Sequence, residues 1–343
     1  MTDLLGNKTY FIADIGATHD GSLERAKELI RLAKWAGADC AKFQHFQAKD
    51  IVSKRGFQTI GKLTHQAAWE RPVYDMYEQY SINRDWDVEL ATTAQAEGID
   101  FMSTPYDFSA VEELYTLVKA YKIGSGDITY LQLIRHIAGM DKPVFLATGA
   151  STMEEVETAV RCLHQDKLCL MQCNTNYTGN LENFGYVNLN VLKSYSIHWP
   201  WIMTGLSDHT PGHATALGAV ALGAKAIEKH FTDDKTRRGP DHGFALTPPE
   251  WSDMVARTKE LELAMGDGVK RVEENEKESV IVQRRALRLK EAHGREIIGD
   301  EDLEALRPCP DGAMTPAEIG DVIGRRLVQS LPAGRELYPE NLM

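Results

Sequence analysis

Two lysines and two histidines carry the strongest chemical signal in this 343-residue chain. Lys42 and Lys122 sit inside apolar runs, Cys40-Ala41-Lys42-Phe43 and Ala120-Tyr121-Lys122-Ile123. A lysine among such neighbours must pair with a carboxylate, bind an anion, or lose its proton and act as a Schiff-base nucleophile. Two such lysines, taken with Thr104 and Ser125, point to a phosphate or carboxylate ligand. Internal salt bridging is the plain structural alternative. His209 and His230 end two successive runs, Leu206-Ser207-Asp208-His209 and Ile227-Glu228-Lys229-His230. If these runs are adjacent parallel strands, about 5 Å apart, the imidazoles can share a divalent ion, with water or substrate completing its shell. No cysteine cluster accompanies them, so an open catalytic ion suits the pair better than a closed zinc site. Hydrogen-bonded core histidines are the structural alternative.

Other polar residues gather where apolar runs end: Asp14, Gln44, His45, Thr148, Asn174, Asn176, Asp208 and Glu228. Asp241, in Gly239-Pro240-Asp241-His242-Gly243, could orient a ligand or cap a turn.

These residues need a scaffold that brings distant run ends together. Short apolar runs alternate with amphipathic stretches from Phe11 to about residue 265. Strands are predicted at 11–16, 40–46, 100–105, 120–125, 143–149, 168–173, 203–208 and 226–231. Helices are predicted at 23–36, 67–80, 85–96, 109–118, 129–138, 152–163, 188–194, 212–222 and 250–263. A loop of about 20 residues after the second strand is long enough to suggest function. Serial strand–helix units imply parallel strands with right-handed crossovers, and eight of them fit a closed (β/α)8 barrel best. In such a barrel the C-terminal strand ends form the active face. Gly124-Ser125-Gly126 lacks the third glycine of a dinucleotide fingerprint. The expected domains are a barrel over 1–267, a polar linker over 268–282 and a small irregular β-rich unit over 283–343.

Composition narrows the function. With 38 Lys plus Arg against 50 Asp plus Glu, the formal charge is −12, which argues against a nucleic-acid backbone binder. No run is long and apolar enough to suggest a membrane span, and the N-terminal residues lack a basic stretch followed by an apolar one. Five cysteines without zinc spacing read as reduced thiols of a cytoplasmic protein.

Several segments together resemble the sialic acid synthase family, which includes N-acetylneuraminate, legionaminate and pseudaminate synthases. The most specific are Gly205-Leu206-Ser207-Asp208-His209-Thr210, Ile227-Glu228-Lys229-His230-Phe231-Thr232 and Gly239-Pro240-Asp241. Ala38 to Gln44, Ser103-Thr104-Pro105, Tyr121 to Gly126 and Cys173 to Tyr177 support them. The resemblance implies condensation of phosphoenolpyruvate with an N-acylated hexose to a nonulosonic acid and phosphate. It implies a divalent metal, manganese or magnesium, on His209 and His230. Phosphoenolpyruvate would be surrounded by Lys42, Thr104, Lys122, Ser125 and the Asn174 to Tyr177 segment, and the sugar would lie near Gln44 and Asp241. The tail resembles the antifreeze-like (SAF) domain, which implies a homodimer in which Arg307 completes the partner's site.

The sequence departs from the family pattern in several places. Asp14 replaces a usual Glu, Thr18 a usual Asn, and His45 the usual Thr after Lys-Phe-Gln. The segment from Thr178 to Tyr186 is longer and lacks the common Pro-Thr. Asp14 and His45 therefore bear on the reacting centre and the acceptor pocket. Three rival readings remain: a Schiff-base pyruvate aldolase using Lys42 or Lys122, a non-catalytic carbohydrate- or ice-binding protein, and a synthase acting on a phosphorylated sugar.

Overall fold

The computed structural model describes residues 1–6, 8–61, 63, 66–67 and 69–343. These fall into two compact units, Met1–Gly266 and Asp267–Met343. The first is a closed barrel of eight parallel strands in sequence order. They are β1 (Tyr10–Asp14), β2 (Cys40–His45), β3 (Asp100–Pro105), β4 (Ala120–Ile123), β5 (Val144–Ala147), β6 (Leu168–Cys173), β7 (Met203–Asp208) and β8 (Ala226–His230). Closure comes from β8 pairing with β1, Asp14 standing opposite His230. Helices between strands bury apolar faces on the ring, and their ends carry local signals. Ser22 accepts a hydrogen bond from the Arg25 amide to start Leu23–Trp35, and Thr152 with Glu155 forms a capping box for Met153–Val160.

Boundaries differ from the predicted ones where turn chemistry intervenes. β4 stops at Ile123 because Gly124 leads into a tight turn over Ser125–Asp127. The loop after β2 holds two short helices, Ala48–Ile51 and Lys54–Ile60. The helix predicted at 67–80 runs over Val73–Tyr80, because Pro72 cannot continue a helix N-terminally with its own N–H; residue 68 of that prediction lies outside the described residues. The one predicted at 188–194 runs over Val191–His198. The expected linker contains a helix, Lys277–Gln283.

Successive residues of a strand point to opposite faces, and in a closed barrel this separates two cores. Ile12, Cys40, Met102, Ala120, Phe145, Cys169, Met171 and Ala226 fill the barrel interior, joined by Leu5 from the N-terminal turn. Phe11, Ala13, Ala41, Phe43, Phe101, Leu146, Leu170, Leu206 and Ile227 face the helices. Nearer the C-terminal strand ends the inward positions turn polar: Asp14, Lys42, Gln44, Thr104, Lys122, Ser207 and Glu228.

The same alternation corrects three sequence-based assignments. His45, Thr148 and Asp208 each follow an inward residue directly, so each side chain faces the helix layer rather than a substrate. His45 is fully buried, with Nε2 2.8 Å from Asp87 Oδ1 and Nδ1 2.5 Å from Ser103 Oγ. Thr148 Oγ1 donates to the Met171 carbonyl at 3.0 Å and accepts from the Tyr195 hydroxyl at 2.9 Å. Asp208 accepts from Lys229 Nζ at 2.5 Å, the Thr210 amide at 3.0 Å and Thr215 Oγ1 at 2.5 Å. Burial alone would raise the Asp208 carboxyl, but Lys229 and these donors hold it below its ordinary value.

The second unit pairs β9 (Ala286–Leu289) with β10 (Leu303–Leu306) antiparallel over a small core that includes Leu287, Ile298, Met314, Val322, Leu327 and Leu337. Arg307, just past β10, is exposed.

Two stability predictions follow from buried groups in the barrel. Replacing Asp208 by Ala leaves the Lys229 ammonium, 2% exposed, without its carboxylate, and should cost about 3–5 kcal/mol in urea unfolding. A loss below about 1 kcal/mol would refute the structural assignment. His19, 1% exposed in the loop after β1, is pushed down to about 4, chiefly by burial. Between about pH 6.5 and 4 the unfolded chain therefore binds a proton there that the folded chain does not, so stability falls as pH falls through that window. His19→Asn should lose about 2–3 kcal/mol less than the parent between pH 7 and 4. Identical pH slopes would disprove this.

Candidate active site

At the C-terminal mouth of the barrel lies a cavity of about 40 Å³. Its polar lining comes from six strands: Asp14 of β1, Lys42 and Gln44 of β2, Thr104 of β3, Lys122 of β4, Ser207 of β7 and Glu228 of β8, with Cys173 of β6 beside them. His209 and His230 face each other above this ring, centroids 5.5 Å apart.

The buried lysines are paired, as buried charges must be. Lys42 Nζ donates to Asp14 Oδ2 at 2.7 Å and lies 3.4 Å from Thr104 Oγ1. Lys122 Nζ donates to Glu228 Oε1 at 2.6 Å, and Ser207 Oγ donates to the same oxygen at 3.0 Å. Asp14 also accepts from Gln44 Nε2 and the Gly16 amide, each at 3.0 Å. Burial would raise the Asp14 carboxyl, but Lys42 and His230 outweigh it and hold it well below the usual carboxylate range. Burial likewise works against the Lys42 ammonium, yet Asp14 and Glu228 hold its pKa above the ordinary value. A Schiff-base lysine needs the opposite shift.

His209 Nδ1 is 2.9 Å from the Asn174 carbonyl oxygen. A carbonyl only accepts, so Nδ1 carries the proton and Nε2 the lone pair. Burial, with His230 close by, pushes His209 down to about 3, so the ring is neutral. His230 Nε2 is 3.5 Å from Asp14 Oδ2, and its Nδ1 is a buried atom without a hydrogen bond, 3.6 Å from Asp241 Oδ2. Glu228 Oε2 is a second buried atom without a partner. Two imidazoles beside an unsatisfied carboxylate oxygen suit a divalent ion that takes nitrogen and oxygen donors. Among the described residues no group of three or more His, Cys, Asp or Glu could hold an ion by itself. Any ion here would therefore rest on the two histidines, with water or substrate filling the remaining positions.

A second chamber, of about 150 Å³, opens outward and is largely aromatic. Phe46, Trp69, Met76, Tyr77, Tyr80 and Tyr106 line it, with Ala17, Pro240 and Asp241. Gln44, Tyr106, Tyr177 and His230 line both chambers and mark their junction. Asp241 Oδ2 accepts from the Ala17 amide at 2.8 Å. Its approach requires Gly16, whose φ is +47° and where a Cβ would lie 2.5 Å from that oxygen.

The structure thus brings together Asp14, Lys42, Gln44, Thr104, Lys122, Ser125, Tyr177, His209, His230 and Asp241 around one pair of chambers. His45, Thr148 and Asp208 face the helices. Asn174 orients His209 through its backbone carbonyl, while its side chain donates to the Tyr186 carbonyl at 3.3 Å. Asn176 is exposed and lines neither chamber. Arg307 belongs to the second unit. Sequence reasoning overlooked Ser207, Cys173 and the aromatic lining. Ser207 stands two residues before His209, the spacing that puts both on one face. Nothing local marks Tyr77, Tyr80 or Tyr106 as pocket residues.

Comparison with known proteins agrees with this geometry. The NeuB family matches residues 29–270 and the SAF domain residues 296–343. The chain is 34% identical over 346 residues to an N,N'-diacetyllegionaminic acid synthase of Legionella pneumophila, covering 97% of this chain and 94% of that one. It is 34% identical over 267 residues to the human N-acetylneuraminate-9-phosphate synthase, covering 77% and 73%. A crystal structure of the N-acetylneuraminic acid synthetase of Leptospira borgpetersenii, in complex with citrate, superposes with a TM-score of 0.70 at 27% identity, covering 80% of this chain and 90% of that one. With barrel, charged mouth and near full-length relatives in agreement, the chain belongs to the NeuB family of sialic, legionaminic and pseudaminic acid synthases.

Proposed function

We propose that the protein condenses phosphoenolpyruvate with an uncharged N-acylated hexose, dependent on a divalent metal, to give a nonulosonic acid and phosphate. The observation that carries this reading is the pair of chambers meeting at His230: a small charged one inside and a larger aromatic one outside. The inner chamber suits a compact anion, and the outer one suits a sugar whose C–H faces and acyl methyl groups pack on aromatic rings.

Charge balance supports a metal and a further cation. Lys42 and Lys122 are matched by Asp14 and Glu228, so this quartet is formally neutral. A phosphate-bearing carboxylate entering it needs added positive charge, which a divalent ion on His209 and His230 and Arg307 of a second copy would provide. When bound, such an ion polarises the acceptor's aldehyde oxygen. Lys42, Lys122, Thr104 and Ser125 donate to phosphate and carboxylate oxygens. C3 of phosphoenolpyruvate forms the new bond to the aldehyde carbon, whose oxygen takes up the proton released as water adds to the cation left at C2. Collapse of that tetrahedral centre breaks the C2–O bond and releases phosphate. Asp14, short and heavily hydrogen-bonded, keeps Lys42 and Gln44 oriented rather than moving the proton itself.

The acceptor's class is supported by the outer wall. Among the described residues that line it, none is Lys or Arg, so a sugar phosphate would find no counter-charge there. The Legionella relative, named for a diacetylated product, suggests a diacetamido-trideoxy acceptor first, with N-acetylmannosamine second. The raised pKa of Lys42 counts against the aldolase reading.

Phosphate release from phosphoenolpyruvate, measured with manganese against these two sugars and N-acetylmannosamine 6-phosphate, tests the proposal. Release with a neutral acceptor, a product mass of acceptor plus pyruvate, and abolition by EDTA with recovery on adding manganese or magnesium are expected. Turnover only with the phosphorylated sugar would overturn the acceptor class. Borohydride trapping with pyruvate, insensitive to EDTA, would establish the aldolase instead. Lys122→Gln should keep the fold by circular dichroism yet lower kcat/KM at least about 100-fold, and full activity would remove Lys122 from the mechanism.

A further inference from the structure

The loop that carries Asp241 is tied down by a residue outside both chambers. His242, 0% exposed, is held at both ring nitrogens. Nε2 is 2.9 Å from Asp20 Oδ1 in the loop after β1, and Nδ1 is 2.7 Å from Thr232 Oγ1, two residues past β8. A carboxylate only accepts, so Nε2 carries a proton, and Nδ1 shares a hydrogen bond with the Thr232 hydroxyl. Thr232 Oγ1 in turn accepts from the Asp234 amide at 3.3 Å.

The other end of this chain is equally fixed. Asp20 sits at φ +52°, and its second oxygen faces Arg237 Nε at 2.8 Å and Arg25 Nε at 3.2 Å. Arg25 also donates to the Thr18 carbonyl at 2.8 Å and pairs with Asp233. Gly239 packs flat on the imidazole, since a Cβ there would lie 2.7 Å from His242 Cδ2. One ring thus joins the two loops that meet at the Ala17 amide and the Asp241 carboxylate.

We infer that His242, clamped between Asp20 and Thr232, is the positioning residue that holds Asp241 at the edge of the acceptor chamber. It lines neither chamber itself and acts through the loop it anchors. The inference rests on the proposed reading only in taking Asp241 to face the acceptor. The clasp predicts a larger effect on acceptor binding than on phosphoenolpyruvate, whose proposed donors Lys42, Thr104, Lys122 and Ser125 lie on or just past β2, β3 and β4.

The test uses the full chain in three variants: His242→Ala, Asp20→Asn and His242→Gln, the last able to present a donor near the Nε2 position. The KM for the best acceptor should rise roughly 10- to 100-fold in the first two and recover in the third, with the KM for phosphoenolpyruvate within about twofold of the parent. The double variant Asp20→Asn/His242→Ala should be no worse than the worse single one, because both break the same clasp. Equal rises in both KM values, no change in either, or no recovery with Gln would overturn the inference. Hydrogen exchange needs no turnover and separates this test from the function itself. Amides of 240–245 should exchange faster in His242→Ala while those of β8 keep their protection. Unchanged exchange in that loop refutes the clasp even if the parent proves inactive on every sugar tried.

Discussion

A lysine cannot stand uncompensated inside a barrel, and the site is organised around that constraint. Lys122 on β4 and Glu228 on β8 belong to strands on opposite sides of the eight-stranded ring, yet their charged atoms lie 2.6 Å apart. Their ion pair crosses the lumen. Below it the interior is apolar, from Phe145 and Met171 down to Leu5. Above it every inward side chain is polar or small until the aromatic chamber begins. The cross-barrel pair is therefore both the roof of the apolar core and the floor of the inner chamber.

The cost of desolvating such a pair is recovered only where the remaining donors and acceptors are also satisfied. Ser207 serves Glu228 Oε1, while Gln44 and the Gly16 amide serve Asp14. The exceptions are Glu228 Oε2, on the floor of the inner chamber, and His230 Nδ1, where the two chambers meet, both buried and without hydrogen-bond partners. Unsatisfied groups are rare in a native interior.

Much of this was legible before any coordinates. Strand–helix alternation announced the barrel, and Lys42, Lys122, His209 and His230 announced themselves by standing in apolar runs. Three misplacements share one cause. His45, Thr148 and Asp208 were grouped with their neighbours because polar residues crowd strand ends, but only alternate positions face the lumen. Gln44, Ala147 and Ser207 are the inward members of those pairs. Anchoring each strand on its Lys or His and counting by twos would have separated Gln44 from His45, and Ser207 from Asp208.

The sequence by itself determined the element order, the inward or outward face of each strand residue and the residue types available at the mouth, because these depend on period and local chemistry. Tertiary structure alone decided which carboxylate meets which lysine, since Lys42–Asp14 and Lys122–Glu228 join residues 28 and 106 positions apart. It also decided that Tyr77 and Tyr80, on a helix far from the strand ends in sequence, wall the outer chamber. Ring closure explains the Lys122–Glu228 pair. Folding eight strands into a circle makes neighbours of β1 and β8 and sets β4 across from β8, relations that no local pattern encodes.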